Sequence, residues 1–167
     1  MRLIDPLLME FDREASTTRK LIERCPDTKL GWQPHARSMT LGKLAHHLAT
    51  IPALVGMSLL TEGLDFATAP PAPPVPATAA EILKSFEAAC VSAKGAMAQV
   101  DDAKAMGIWT LSQGPVTITA MPRIAILRTL LLNHSVHHRG QLSVYLRLLD
   151  VPVPPIYGSS ADENAFA

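Results

Sequence analysis

The sequence predicts an all-α protein built as a four-helix bundle. Four stretches carry apolar residues at helical spacing, capping residues or prolines mark their ends, and the connections are short except for one proline-rich segment. The chain has 167 residues, of which 48% are hydrophobic and 18% are charged. This length and composition fit one globular domain spanning residues 1–167.

Composition and charge exclude several classes of function. The 15 Lys and Arg residues balance the 15 Asp and Glu residues, which argues against a nucleic-acid binder and against electrostatic membrane binding. No signal-peptide pattern opens the chain, and no apolar stretch reaches a membrane-spanning length. Two cysteines, Cys25 and Cys90, are too few for a disulfide framework, which favours a reducing compartment. We therefore expect a cytoplasmic protein with neither nucleic-acid nor membrane partners.

The first two helices are predicted in the first third of the chain. The first covers residues 6–23, because a proline suits its first turn and apolar residues recur every three or four positions. The second follows Ser38 or Thr40, either of which could cap it, and continues to about Thr61. Pro52 lies inside this second helix, and we expect it to kink or locally break the helix.

A proline-rich crossover at residues 69–77 separates the second helix from the third. Its composition predicts an extended, stiff spacer. Thr78 and Glu81 have the spacing of a capping box, so the third helix is predicted to begin there and to reach about Val100.

A short β-hairpin and the longest helix are predicted after the third helix. Residues 108–111 and 116–120 flank a Gly-Pro turn and are rich in β-branched and apolar residues. The last long helix then covers residues 122–149, where a group of prolines ends it. The polar tail from about residue 157 is expected to wrap the surface or to fray.

Five of the six histidines fall on two of the predicted helices. His134 and His138 are four residues apart, so they share one face of the last helix, and leucines on that face predict that both rings point into the bundle. At about 100° per residue, His47 borders the buried face of the second helix, while His46 faces solvent. His137 is expected at the flank or on the surface.

Three imidazoles that lean into one apolar interior predict a divalent transition metal. Each buried polar group without a partner costs about 1–3 kcal/mol, and a metal would use one nitrogen of His47, His134 and His138. Nitrogen ligands favour Zn, Ni, Cu or Fe, and three protein ligands leave a coordination position for an outside molecule. An ordinary pair of core or surface histidines is the open alternative. The pair lacks the Glu of the H-E-x-x-H peptidases, which excludes that class.

Two motifs resemble the DinB-like superfamily, which includes the bacterial YfiT-type proteins. Residues 44–48 (LAHHL) resemble the motif of its second helix, and residues 133–142 (NHSVHHRGQL) resemble the H-x-x-x-H-R-G-Q signature of its last long helix. Residues 32–35 (WQPH) and 155–158 (PIYG) are also similar to family sequences. The resemblance therefore spans nearly the whole chain.

The resemblance implies a four-helix bundle that holds a divalent metal, usually nickel or zinc, on His47, His134 and His138. Some members are S-transferases or isomerases that use bacillithiol, mycothiol or glutathione, and homodimers are common. We therefore expect a homodimeric, metal-dependent enzyme that activates a low-molecular-weight thiol against a small-molecule substrate. The chain's own cysteines are poor nucleophiles, because Cys25 lies at a helix C-terminus and Cys90 lies in mid-helix.

Two other functions share the same three ligands. A hydrolase would use metal-bound hydroxide and a nearby base, although no Asp or Glu shares the histidine face of the last helix. A non-catalytic metal-binding or stress protein would use the metal to hold its fold. Tyr145, on the histidine face, could orient a ligand or simply fill the core.

Overall fold

Four long helices dominate the computed structural model, which describes residues 1–71 and 73–166. In chain order, the elements are α1 (Asp5–Glu23), a 3-10 turn (Asp27–Lys29), α2 (Leu41–Leu60), β1 (Gly63–Asp65), α3 (Ala79–Ala98), α4 (Asp102–Met106), β2 (Ile108–Gln113), β3 (Val116–Pro122), α5 (Arg123–Ile126), a π-helix (Leu127–Asn133) and α6 (His134–Leu148).

The predicted helical bundle is confirmed. We call residues 123–148 the last long helix, because α5, the π-helix and α6 follow one another without a break. Helix α1 contacts α3 and α6, and α2 contacts the same two helices. The four long helices therefore form a ring around one apolar core, as in other helical bundles.

The ends of the helices follow the predicted capping residues. The Thr40 side chain accepts a hydrogen bond from the Lys43 amide at 3.2 Å, so Thr40 caps α2. The Thr78–Glu81 capping box begins α3 as predicted. Pro52 does not break α2, which remains helical from Leu41 to Leu60. Pro52 is buried and lines a small cavity with residues of α1 and α3, and α2 continues through Pro52 although one amide donor is missing.

The predicted hairpin is confirmed and belongs to a three-stranded sheet. Strands β2 and β3 pair antiparallel, and Gly114 between them has a φ of 56°, which glycine adopts without strain. Strand β1 pairs parallel with β2, and neither β1 nor α4 was predicted. Trp109 and Leu111 of β2 pack on Ile126, which attaches the sheet to the start of the last long helix.

Two buried arginines fix the last long helix against its neighbours. Arg123 donates to the carbonyl oxygens of Thr61 at 2.6 Å and Ile108 at 3.1 Å. Arg139 is fully buried and forms an ion pair with Glu14 of α1, and it also bonds Tyr157 of the tail. Arg139 therefore packs the last long helix against α1 and the tail through a buried ion pair.

The C-terminal tail wraps the surface of the bundle. Its acidic residues Asp162 and Glu163 pair with Arg147 of α6 and Arg24 at the end of α1. Residue 72, within the crossover predicted at 69–77, and residue 167, at the end of the tail, lie outside the described residues. None of the helices described combines the length and the apolar character needed to cross a membrane.

Candidate metal centre

The side chains of His47, His134 and His138 converge between α2 and the last long helix. The Nε2 atom of His134 lies 3.0 Å from Nε2 of His47 and 2.7 Å from Nε2 of His138. One ligand atom of each residue lies within 4.8 Å of the other two. The structure therefore brings together the three residues that the sequence selected as ligands.

Helix geometry explains why these three rings meet. His134 is the first residue of α6, and His138 follows one turn later on the same face. His47 lies in the first half of α2, which packs against α6. The π-helix Leu127–Asn133 ends immediately before His134. Segments of π-helix inside longer helices are frequent at functional sites.

The prediction that His134 and His138 point into the interior is confirmed for His138, which is 8% exposed, whereas His134 lies at the edge of the core, as His47 does. His134 is half-buried, while Arg139, Leu142 and Leu146 occupy the centre of the buried face. The prediction assumed one regular α-helix, but the π-helix changes the phase of the residues that follow it. The rings are therefore close enough to the surface for an outside molecule to reach them.

The neighbouring histidines give one correction and one confirmation. His46 was predicted to face solvent, but it is only 8% exposed. Residues 73–75 of the proline-rich segment line the same groove as His46, and Val75 approaches Gly42 one turn earlier in α2, so this side of the helix faces another part of the chain. His137 is exposed as expected, with its ring centre 4.9 Å from that of His138.

The donor set fits a divalent transition metal. Nε2 of His134 contacts two other Nε2 atoms, and one ring proton can satisfy only one of these two contacts. A metal ion would accept the lone pairs of all three nitrogens together. Metal–nitrogen bonds of roughly 2.0–2.1 Å place two ligands about 2.9 Å apart at the right angles of an octahedral ion and about 3.3 Å apart at tetrahedral angles. The separations of 2.7 and 3.0 Å are closer to the octahedral value.

Gln141 orients the ring of His138. Its Oε1 atom lies 2.7 Å from Nδ1 of His138. Because an amide oxygen only accepts, Nδ1 must carry the proton, and Nε2 keeps its lone pair directed at the other two rings. Gln141 was not predicted as a site residue, although its spacing of three residues from His138 places it on the same helix face.

The three imidazoles are held in the neutral form that binds metals. Burial, together with smaller repulsion from the neighbouring histidine rings, lowers the pKa of His47 to about 4. Burial also lowers the pKa values of His134 and His138, although the hydrogen bond with Gln141 partly opposes this effect at His138. At neutral pH the ring nitrogens therefore offer lone pairs without first losing a proton.

A groove of about 450 Å³ opens beside His47, between α2 and the proline-rich segment. We call it the His47 groove. Its volume lies in the range of small-molecule pockets. It is lined by Met39, Lys43, His46, His47, Thr50, Pro73, Pro74 and Val75.

Tyr145 packs against the loop that precedes α2. Its hydroxyl donates to the carbonyl oxygen of Met39 at 3.3 Å, and its ring meets Trp32 edge-on with centres 5.7 Å apart. Of the two roles considered for Tyr145, these contacts favour packing. Within residues 1–71 and 73–166, no Asp or Glu joins the group of three histidines.

Neither cysteine belongs to the histidine cluster. Burial raises the pKa of Cys25 to about 12 and that of Cys90 to about 11. Cys90 faces a different groove, between α1 and α3. Both thiols are therefore protonated at neutral pH, which agrees with the expectation that they are poor nucleophiles.

Comparisons with known proteins give one family. The model of the DinB family matches residues 3–165. The uncharacterized protein YrdA of Bacillus subtilis (strain 168) is 30% identical over 168 residues, which cover 97% of this chain and 92% of that protein. A crystal structure of a DinB-like protein from Bacillus cereus ATCC 10987 superposes with a TM-score of 0.73 at 25% identity, and covers 92% of this chain and 97% of its own. The DinB-like protein YjoA of Bacillus subtilis has the same fold, with a TM-score of 0.72 at 16% identity and the same coverage.

The lowered pKa values predict that acid destabilises the metal-free protein. A histidine whose folded-state pKa lies below its ordinary value of 6.5 binds fewer protons in the folded state. The contribution of such a histidine to the free energy of unfolding is therefore complete above pH 6.5 and is lost as the pH falls from 6.5 towards 4. We expect the free energy of unfolding, measured with denaturant and a chelator present, to fall over this pH range. His47→Gln should make this fall smaller. His35→Gln, on an exposed loop, is the control. Identical pH profiles for wild type and His47→Gln would contradict this account.

Proposed function

The chain belongs to the DinB family, and we propose that it is a metal-dependent enzyme that activates a small thiol, as an S-transferase does. His47, His134 and His138 would hold the metal, with nickel or zinc as the ion. One observation supports this proposal most strongly. Nε2 of His134 contacts Nε2 of both His47 and His138, and one ring proton can satisfy only one of these two contacts. The homodimer, the small-molecule substrate and the cytoplasmic location expected from the sequence are parts of the same proposal.

Several residues of the chain have defined parts in this proposal. Such a metal, when bound, lowers the pKa of a coordinated thiol or water towards neutrality. The three imidazoles supply neutral donors, and Gln141 keeps Nε2 of His138 unprotonated. The bundle leaves His47 on the wall of a groove that a second reactant can enter.

The nucleophilic sulfur would come from outside the chain. Cys25 and Cys90 are protonated at neutral pH, and neither belongs to the histidine cluster. In the transfer, the sulfur of the small thiol forms a bond to an electrophilic carbon of the acceptor. The leaving group of the acceptor departs with its bonding electrons, and the thiol proton passes to the solvent.

Metal content tests the ligand set. We expect the purified protein, offered nickel or zinc and then dialysed, to hold about one metal ion per chain by elemental analysis. His138→Ala should lose most of it, because two imidazoles bind a divalent ion much more weakly than three. His137→Ala is the matched control, since this neighbouring ring is exposed and lies outside the cluster. Equal metal content in the two variants, or none in the wild type, would contradict the proposal.

Gln141→Leu tests the orientation of His138. Loss of the hydrogen bond to Nδ1 allows the proton to move to Nε2, which then no longer binds a metal. We expect metal affinity, measured by competition with a coloured chelator, to fall about 10- to 100-fold. Gln113→Leu, an exposed glutamine of β2, should not change it. An unchanged affinity in Gln141→Leu would show that the hydrogen bond does not orient the ligand.

Thiol transfer tests the reaction class. Metal-loaded protein should accelerate the reaction of a small thiol with an electrophile, when a panel of thiols and electrophiles is followed by loss of free thiol. Chelation or His138→Ala should abolish the acceleration, whereas Cys90→Ser should retain it. If the metal-loaded protein turns over no thiol but hydrolyses esters or amides, the S-transferase proposal is wrong.

A further inference from the structure

We propose that the His47 groove binds the acceptor substrate, and that this substrate is a small molecule with an elongated apolar body and a carboxylate held by Lys43. This inference rests on the proposed function, because it places the second reactant beside the histidine cluster. It adds the chemical class of that reactant.

The walls of the groove suit an apolar body. On one side, Pro73, Pro74 and Val75 present rings and methyl groups, and on the other side Met39 presents a thioether. The approach of this segment to α2 is close, because a Cβ atom at Gly42 would lie 3.4 Å from Cγ1 of Val75. A volume of about 450 Å³ fits a molecule of small-ligand size.

Lys43 supplies the charge in this groove. Among the described lining residues of the groove, Lys43 is the one lysine or arginine, and no Asp or Glu lies beside it there. Within residues 1–71 and 73–166, Lys43 forms no ion pair and no side-chain hydrogen bond. It also lies in the first turn of α2, where the helix dipole favours an anion.

The groove between α1 and α3 provides a contrast. It has nearly the same volume, about 440 Å³, and it is also lined by cationic side chains. There, however, Arg19 pairs with Glu87 at 2.5 Å and Lys94 pairs with Asp12. Those cations already have anionic partners within the chain, whereas the ammonium group of Lys43 is available to a ligand.

The position of Lys43 also sets the length of the substrate. Lys43 and His47 are four residues apart and so lie on the same face of α2, with a rise of roughly 6 Å between them. A molecule anchored at Lys43 and extended along the helix axis reaches the histidine cluster. We therefore expect an elongated substrate with the carboxylate at one end and the electrophilic carbon towards the other.

Binding of two model ligands tests the inference without any turnover. The probes are 4-phenylbutyrate and its uncharged amide, 4-phenylbutyramide, titrated against wild type, Lys43→Met and Lys84→Met by protein-observed NMR. Methionine keeps the length of the lysine stem, and Lys84 is an exposed lysine of α3. The carboxylate should bind wild type and Lys84→Met alike, and Lys43→Met about 5- to 10-fold more weakly. Lys43→Met should bind the amide as wild type does.

The titrations are run on metal-free protein and then repeated with nickel added. In these samples the resonances of 4-phenylbutyrate itself are also recorded. They should broaden when nickel is added, because the bound probe lies beside the paramagnetic ion at the histidine cluster. Equal affinity of Lys43→Met and wild type for the carboxylate would overturn the inference, and so would binding that nickel does not broaden in protein shown to hold the metal. A protein that holds no nickel but still binds the carboxylate through Lys43 would refute the proposed function and support the anion site.

Discussion

The contact between α2 and the last long helix places Nε2 of His134 within hydrogen-bonding distance of Nε2 of both His47 and His138, and one ring proton can satisfy only one of these two contacts. Two helices supply these rings, so the cluster exists only when the bundle is folded. Polar groups at a helix interface need partners, and unsatisfied ones cost about 1–3 kcal/mol each. A cation at the point where the lone pairs meet would remove this cost for all three rings together.

The surroundings of the cluster keep it in a form that can bind a metal. Burial disfavours protonation of the rings, and Gln141 fixes the tautomer of His138. The last long helix is held by Arg123 at its start and by the ion pair of Arg139 with Glu14 further along. Because Arg139 directly follows His138, the same helix turn anchors the bundle and presents a ligand. The cluster therefore combines fixed positions with access from the surface.

Much of this architecture could be predicted from local patterns in the sequence. The capping residues Thr40 and Thr78, the hairpin and the three convergent histidines all depend on short-range spacing, which the sequence displays directly. The errors arose where contacts distant in the chain decide. His46 is buried on a side of α2 that faces the proline-rich segment, some 30 residues further along the chain, and not open solvent. Strand β1 is formed by pairing with β2 across some 45 residues, and a three-residue segment carries no pattern of its own.

The π-helix accounts for the main difference between the predicted and the observed positions of residues on the last long helix. The prediction assumed a regular α-helix over residues 122–149. In such a helix the leucines near its start and the histidines lie on the same face. The observed π-helix shifts the phase at His134, so that Arg139 takes the centre of the buried face and His134 takes its edge, while His138 stays buried. No local residue pattern announces such a change, because the seven residues of the π-helix are ordinary helix formers.

Anomalous diffraction at the absorption edge of the metal, from crystals grown with nickel or zinc, tests this account most directly. The account predicts one strong peak per chain, at about 2.0–2.1 Å from Nε2 of His47, His134 and His138, with no fourth ligand from the chain. A metal peak elsewhere, or a further side chain that closes the coordination sphere, would contradict it.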